Sequence, residues 1–233
     1  MIKNIIIILS LLLIFSVNCF AVDNYQWKLA ETANNCQIYT STVAGKGYIA
    51  SKASCVVPAR METIGMVFRD IASYPEWMED CKETKILKVI DDVNDVFIFW
   101  HHQHIPLMTD RDVVVKSRVS MNLQKGQVLV FSELTNEVNY DSGKGYIRMP
   151  SFISVTTLDW IDRDHTRITF MIDPDLSDGL PRFIANPLIK TNPLKSLKRM
   201  IKVLKNPKYI EAGRISKYNK FVEDAIKAGY IKP

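Results

Sequence analysis

The sequence has few of the residues that mark fibrous, disordered or disulfide-dense proteins. Its 233 residues include only 9 glycines, 10 prolines and 4 cysteines, which excludes a collagen-like repeat and a small disulfide scaffold. A strong excess of one charge is also missing, because the formal net charge is +5. That value is too small to indicate nucleic acid, so we expect no nucleic-acid partner. With 47% hydrophobic and 24% charged residues, the composition is that of a folded globular protein.

Long apolar runs are absent except at the N-terminus. Lys3 is the only charged residue among the first 21, residues 5–15 are apolar except for Ser10, and Cys19-Phe20-Ala21 has the small-x-small pattern of a cleavage site. The run is too short to span a bilayer, which needs about 20 apolar residues. We therefore expect residues 1–21 to be a cleaved signal peptide and the mature protein to be periplasmic or secreted. A lipoprotein signal modified at Cys19 is the weaker alternative.

The three remaining cysteines would then lie in a compartment where disulfides can form. Two predicted strands, joined by a turn at Ala44-Gly45-Lys46, set Cys36 nearly opposite Cys55. A disulfide between Cys36 and Cys55 is therefore geometrically reachable, and two small buried thiols are the alternative. In either case we expect Cys81 to be a free, buried thiol.

The hydrophobic period changes along the chain. Residues 23–32 have a weak helical pattern, and residues 61–68 have a stronger one, with apolar positions three and four apart. From about residue 85 to residue 172 the period is two, which predicts short antiparallel strands separated by turns. These strands are 85–90, 96–103, 112–121, 128–134, 147–158 and 166–172. After Pro174 the helical pattern returns, so the order predicts an α+β fold in which a curved antiparallel sheet wraps around a long C-terminal helix.

Four segments carry a family resemblance. Residues 100–112, WHHQHIPLMTDRD, contain an aromatic strand end, a proline-containing turn and an Arg-Asp pair that opens the next strand. The other three segments, in matching order and separation, are 71–81 (IASYPEWMEDC), 145–149 (GYIRM) and 178–186 (DGLPRFIAN). From about Trp27 to Leu204 the sequence resembles the START domains, the steroidogenic-acute-regulatory-related lipid-transfer family. It departs from them in its three closely spaced histidines and in a basic helix after Pro207.

The resemblance implies a helix-grip fold that encloses an apolar cavity for one lipid-like molecule, with no cofactor. Together with the N-terminal pattern, the resemblance divides the chain into residues 1–21, the signal peptide, residues 22–206, the START-like lipid-binding domain, and residues 207–233, a basic helical extension. The segments 178–181 and 192–193 on one side, and 206–207 on the other, are marked by proline and glycine and would be hinges of the C-terminal helix.

Strand alternation places Val113, Val115 and Ser117 on one face, which the resemblance makes the cavity face. The predicted cavity residues are Trp100, Val113, Val115, Ser117, Phe131, Glu133, Phe170, Leu197, Met200, Ile201 and Leu204. Ser117 and Glu133 would be the polar groups that orient the ligand. A filled core shows the same apolar alternation and is the alternative interpretation.

The candidates for chemistry are few. His102 and His104 share a strand face beside His101, but two ligands do not make a zinc site, so we expect turn or solvent-facing histidines and no metal. Arg111 and Asp112 point to opposite faces of a strand, so they cannot cooperate directly, and a structural role is expected. The sequence contains no nucleophile elbow, P-loop or dinucleotide fingerprint, and no motif indicates an enzyme.

Positive charge is concentrated at the C-terminal end. Residues 182–233 contain 13 basic and 3 acidic residues. Lys198, Arg199, Lys202 and Lys205 lie opposite the apolar helix face, where they could contact an anionic membrane; an ordinary solvated face is the alternative. We expect a protein that binds a lipid or sterol and transfers it between membranes. The alternative is a helix-grip superfamily enzyme, a cyclase or hydrolase, acting on a bulky apolar substrate.

Overall fold

The computed structural model describes residues 25–33, 35–176 and 180–233. The predicted signal peptide and part of the 178–181 hinge lie outside the described residues. The strands are β1 (Lys28–Ala33), β2 (Cys36–Thr42), β3 (Ile49–Val57), β4 (Cys81–Asp91), β5 (Val96–Gln103), β6 (Arg111–Asn122), β7 (Gln127–Leu134), β8 (Ile147–Arg148), β9 (Phe152–Trp160) and β10 (Thr166–Pro174). The helices are α1 (Met61–Arg69), α2 (Tyr74–Trp77), α3 (Arg182–Val203), α4 (Pro207–Arg214) and α5 (Lys217–Lys227), and a single 3-10 turn (Ile71–Ser73) precedes α2.

The strands form one sheet in the order β1-β2-β3-β10-β9-β7-β6-β5-β4. Neighbours along this path pair antiparallel, and the short strand β8 pairs with the start of β6 in parallel. The sheet curves around the helices, which confirms the predicted α+β architecture. One hydrophobic core lies between the concave face and the helices.

Helix α3 is fixed to the middle of the sheet. Ser51 on β3 donates its hydroxyl hydrogen to the Lys190 carbonyl (3.1 Å), and the backbone N–H of Ile49 donates to Asn186 Oδ1 (3.3 Å). The helix contains Pro187 and Pro193 and runs through both. The predicted hinge at residues 192–193 is therefore wrong. Pro193 is buried, so packing against the sheet outweighs the hydrogen bond that proline cannot make.

The first element is also corrected. The pattern of residues 23–32 predicts a weak helix, but Lys28–Ala33 form the edge strand β1, paired with β2. Strand pairing at a sheet edge outweighs a weak helical period. Across the next pair, Cys36 lies directly opposite Cys55, and the two are joined by a disulfide. Cys81 is free and buried.

The last two helices pack on the core rather than extending away from it. Asn206 caps α4 by accepting from the backbone N–H of Lys208, and Ser216 caps α5 by accepting from that of Asn219. Close approach to α1 requires glycine, because a Cβ on Gly65 would lie 2.7 Å from the ring of Tyr218. Residues 207–227 thus complete the core that α1 shares with the sheet.

Candidate ligand-binding site in the interior

Two small voids lie side by side between the concave face of the sheet and the helices. Each has a volume of about 20 Å³. They share the lining residues Met78, His101, Phe152, Ser154 and Phe170. Such a void holds about one water molecule, whereas a pocket for a lipid-sized molecule measures about 300–1,000 Å³. The interior has the expected apolar lining but is nearly filled, so a lipid-sized ligand requires an element to move.

Strand register decides which predicted residues face this interior. Phe99 pairs with Val115 and His101 pairs with Val113, and these residues lie on the concave face. Val115 and Phe170 line the first void. Ser117 lines a separate void of about 10 Å³ nearer to α5.

Trp100 does not face the cavity, so its prediction is wrong. It alternates with Phe99 and His101 and therefore lies on the convex face, in a small cluster with Ile98 and Val114. Its indole N–H donates to Asp112 (2.7 Å). The aromatic strand end is thus part of an outer support of the sheet.

The predicted cavity residues of β7, Phe131 and Glu133, lie on the opposite face of the sheet from the one predicted. Ser132 lies opposite Ser117, and residues directly opposite in an antiparallel pair share a face. Phe131 and Glu133 consequently point outward, where both contact Arg118. Val130 and Ser132 line the first void in their place.

The apolar face of α3 contributes to the core but not to the voids. Leu197, Met200 and Leu204 are buried and Ile201 is half-buried. Among the described lining residues of the two voids, α3 supplies only Asn192. Because Asn192 and Glu79 line the second void, this void lies at the contact between α3 and the turn that joins α2 to β4.

Glu79 lies in that turn and is bound by side chains of α3 that are one helical turn apart. Asn192 Nδ2 donates to the Glu79 carbonyl (2.9 Å), and the Glu79 N–H donates to Ser196 Oγ (2.9 Å). The carboxylate pairs with Lys195 and Arg199, each at 3.3 Å. We refer to these contacts as the Glu79 clamp. It closes the edge of the second void.

The predicted membrane-facing residues divide into two groups. Arg199 belongs to the Glu79 clamp and also donates to the Pro75 carbonyl (2.9 Å), so its guanidinium is already bound within the protein. Lys198, Lys202 and Lys205 are exposed. None of the three makes an ion pair with any residue that the structure describes. No helix in the described part of the chain is long and apolar enough to cross a membrane.

His101 is the polar residue that the sequence prediction missed. It lines both voids and is only 5% exposed. Burial, with a smaller contribution from the nearby His102, lowers its pKa to about 4, so the imidazole is neutral at physiological pH. Its Nε2 has no hydrogen-bond partner among the described residues. Pairing with the inward-facing Val113 across β5 and β6 is the signal that would have placed it inside.

The other two histidines brace the β5–β6 turn. His102 Nε2 lies 2.8 Å from one Asp110 carboxylate oxygen, and His104 Nδ1 lies 2.9 Å from the other. The Ile105 N–H also donates to this carboxylate. Burial raises the pKa of Asp110, but these hydrogen bonds outweigh it and the pKa lies below its usual value. Among the described residues, no group of three His, Cys, Asp or Glu side chains is arranged to hold a metal ion.

Arg111 and Asp112 diverge as strand alternation predicts. Arg111 points inward and donates to the carbonyl groups of Thr109 and Leu176. Asp112 lies on the convex side and accepts two hydrogen bonds from Arg148, at 2.7 and 2.9 Å, besides the one from Trp100. Both residues anchor the start of β6.

A curved antiparallel sheet closed over an apolar interior by a long C-terminal helix defines the helix-grip class. The sequence model of the START domain matches residues 16–210, and the chain belongs to this family. An uncharacterized protein of Pseudomonas aeruginosa is 26% identical over 185 residues, which cover 78% of this chain and 86% of that protein.

Solved structures agree on the fold. A STAR-related lipid transfer protein from Xanthomonas axonopodis matches with a TM-score of 0.68 and 22% identity, over 77% of this chain and 99% of that one. Human STARD10 matches with a TM-score of 0.67 and 18% identity, over 79% and 76% of the two chains.

Proposed function

We propose that this protein binds one lipid or other apolar molecule in its interior and transfers it between membranes. Membership of the START family supports lipid binding, and the Xanthomonas protein of the same fold is named as a lipid transfer protein. The observation that carries the proposal is the pair of adjoining voids, lined mainly by apolar side chains and bounded by the Glu79 clamp. Opening at this clamp would join the voids and admit a ligand.

Binding is favoured over catalysis by the state of the polar groups around the voids. Glu79 is the one carboxylate of the described lining, and it is engaged by Lys195 and Arg199. His101 Nε2 has no partner among the described residues. No hydrogen-bonded acid–base pair therefore lines either void in the described part of the chain.

Native mass spectrometry of protein purified from its own host tests this function. We expect one apolar molecule per chain, recovered unaltered by extraction. Recovery of a chemically converted molecule after incubation would instead support the cyclase or hydrolase alternative. A protein that carries no extractable apolar molecule and takes up none from vesicles would contradict the proposal.

Tryptophan substitutions at two adjacent positions test whether the ligand binds in the interior or on the convex face of the sheet. Val115→Trp adds an indole where the opened void would hold the ligand and should abolish ligand uptake, because the ligand and the indole compete for the same space. Val114→Trp is the matched control, since Val114 is equally buried but lies on the convex face. Both changes overpack the protein and destabilise it. Equal ligand occupancy in the two folded variants would place the ligand elsewhere.

We also propose that the protein is exported to the periplasm or medium. The basic and apolar pattern of residues 1–21 supports a signal peptide, and the disulfide between Cys36 and Cys55 fits an oxidising compartment. N-terminal sequencing of mature protein should begin near Val22. Finding Met1 on a soluble cytoplasmic species would refute export.

A further inference from the structure

The unpaired Nε2 atom of His101 is unusual. Buried polar groups in folded proteins are nearly always hydrogen-bonded, and leaving one unpaired is costly. Its Nε2 nevertheless has no partner among the described residues. The ring lies edge-on to Phe152, with centroids 6.3 Å apart, in the wall that the two voids share. The residue that carries this unused hydrogen-bonding atom therefore lines the space where the proposed ligand would sit.

The charge around the voids restricts what this atom can bind. Neither void has a lysine or arginine in its described lining, and the single carboxylate there, Glu79, is paired with Lys195 and Arg199 of the Glu79 clamp. Because both of these cations are already paired with Glu79, an anionic head group beside His101 would be buried without a countercharge of its own, which is strongly unfavourable. A neutral imidazole offers one donor and one acceptor nitrogen. A hydroxyl group can match either nitrogen.

We infer that His101 binds the polar end of the ligand, and that the ligand is an apolar molecule ending in an uncharged hydroxyl group. This inference rests on the proposed function and names its ligand class. The hydroxyl groups of Ser154 and Thr156 line the same void and provide further uncharged partners for such an end group. Molecules with a buried phosphate or carboxylate are disfavoured.

Three fluorescent probes with one apolar body test the inference. They are 10-(1-pyrenyl)decanol, 1-decylpyrene and 10-(1-pyrenyl)decanoate, each delivered from cyclodextrin at about pH 8, where the carboxylate is charged. The wild-type protein should bind the alcohol about tenfold more tightly than the hydrocarbon, the difference expected for one hydrogen bond. It should bind the carboxylate more weakly than the alcohol.

Variants at neighbouring positions assign the preference to one side chain. His101→Phe should lose about tenfold in affinity for the alcohol and little for the hydrocarbon. His102→Phe is the matched control, because His102 lies on the convex face against Tyr146 and should leave the preference intact. Circular dichroism and thermal melting verify the fold of both variants.

A measurement on the wild-type chain keeps the inference testable if His101→Phe does not fold. The chain has 4 histidines, so ¹⁵N-labelled imidazoles give a small set of signals. The alcohol should shift the imidazole nitrogens of a histidine that stays neutral down to about pH 5, as the buried His101 should, and the hydrocarbon should not.

The outcomes separate this inference from the proposed function. Equal affinity for alcohol and hydrocarbon, in the wild-type protein and in both variants, overturns the role of His101 while interior binding stands. Tighter binding of the carboxylate overturns the uncharged ligand class. Failure of all three probes to bind the wild-type protein counts against the proposed function itself.

Discussion

At the scale of single residues, burial of His101 links protonation to stability. Its pKa falls from 6.5 to about 4 because the interior does not solvate the charged imidazole, with a further lowering by His102 and an opposing effect of Asp112. Above about pH 6.5 the residue is neutral in both the folded and the unfolded chain. Between about pH 6.5 and 4 only the unfolded chain binds the proton, so stability falls as pH falls.

The corresponding prediction concerns the free energy of unfolding between about pH 7 and 5. Relative to His101→Gln, which keeps a polar side chain but does not titrate, the wild-type protein should lose about 2 kcal/mol over this interval. Urea titrations at several pH values measure the difference. Carboxylates titrate in both proteins and cancel in the comparison. Parallel pH profiles would show that the imidazole is accessible to water.

At the scale of elements, the Glu79 clamp sets how readily α3 separates from the α2–β4 turn. Asn192 and Ser196 make its two backbone hydrogen bonds, and both side chains are buried. Replacing both by alanine removes about 1 kcal/mol for each bond. The open form should then be more populated, and uptake of 10-(1-pyrenyl)decanol in stopped-flow fluorescence should become about thirtyfold faster.

Lys195→Ala is the control for this double variant. Its ion pair with Glu79 is 3.3 Å long and the lysine side chain is 51% exposed, and exposed pairs contribute little. Uptake should change less than twofold, or by about 0.4 kcal/mol. If the double variant is less stable but takes up the probe at the wild-type rate, a different element admits the ligand.

The orientation of some strands can be predicted from the sequence alone, and that of others cannot. Strand β6 is assigned to the correct face because Lys116 and Arg118 alternate with valines, so only one face can be buried. Strand β7 has apolar residues on both faces, and its orientation is fixed by pairing with β6, which no local pattern contains. The continuation of α3 through its two prolines and the strand conformation of β1 also depend on packing with other segments. No local sequence pattern predicts them.

The site is predictable in part. The apolar interior and Phe170 follow from alternation, and the family resemblance supplies the curved sheet around α3. The inward position of His101 is not predicted, because three closely spaced histidines suggest a metal site or a turn. In the structure they lie on or next to strand β5, which places His101 inward and His102 outward. The size of the voids depends on how completely side chains fill the space, and a pattern of apolar residues does not determine it.

At the scale of the whole molecule, positive charge is concentrated in the C-terminal part of the chain. Residues 182–233 carry 13 basic against 3 acidic residues. On α3, Lys198 and Lys202 are exposed, as is Lys205 just beyond its end, while the opposite side of the helix is bound to the core. A helix that opens at the Glu79 clamp while its outer lysines contact anionic head groups would release or accept ligand at the membrane surface.

The last prediction tests this membrane contact. Changing Lys198, Lys202 and Lys205 to Glu should weaken binding to anionic vesicles at least tenfold at low salt, because each lysine near such a surface contributes about 1 kcal/mol. Transfer should slow in parallel, and the difference should shrink at high salt, where charges are screened. Ligand occupancy at equilibrium should hardly change, since none of the three lines the described voids.

The matched control changes three exposed lysines elsewhere, Lys82, Lys88 and Lys125, to Glu. It alters net charge equally, so equal losses in both variants would show that overall charge, and not the outer face of α3, attracts the membrane.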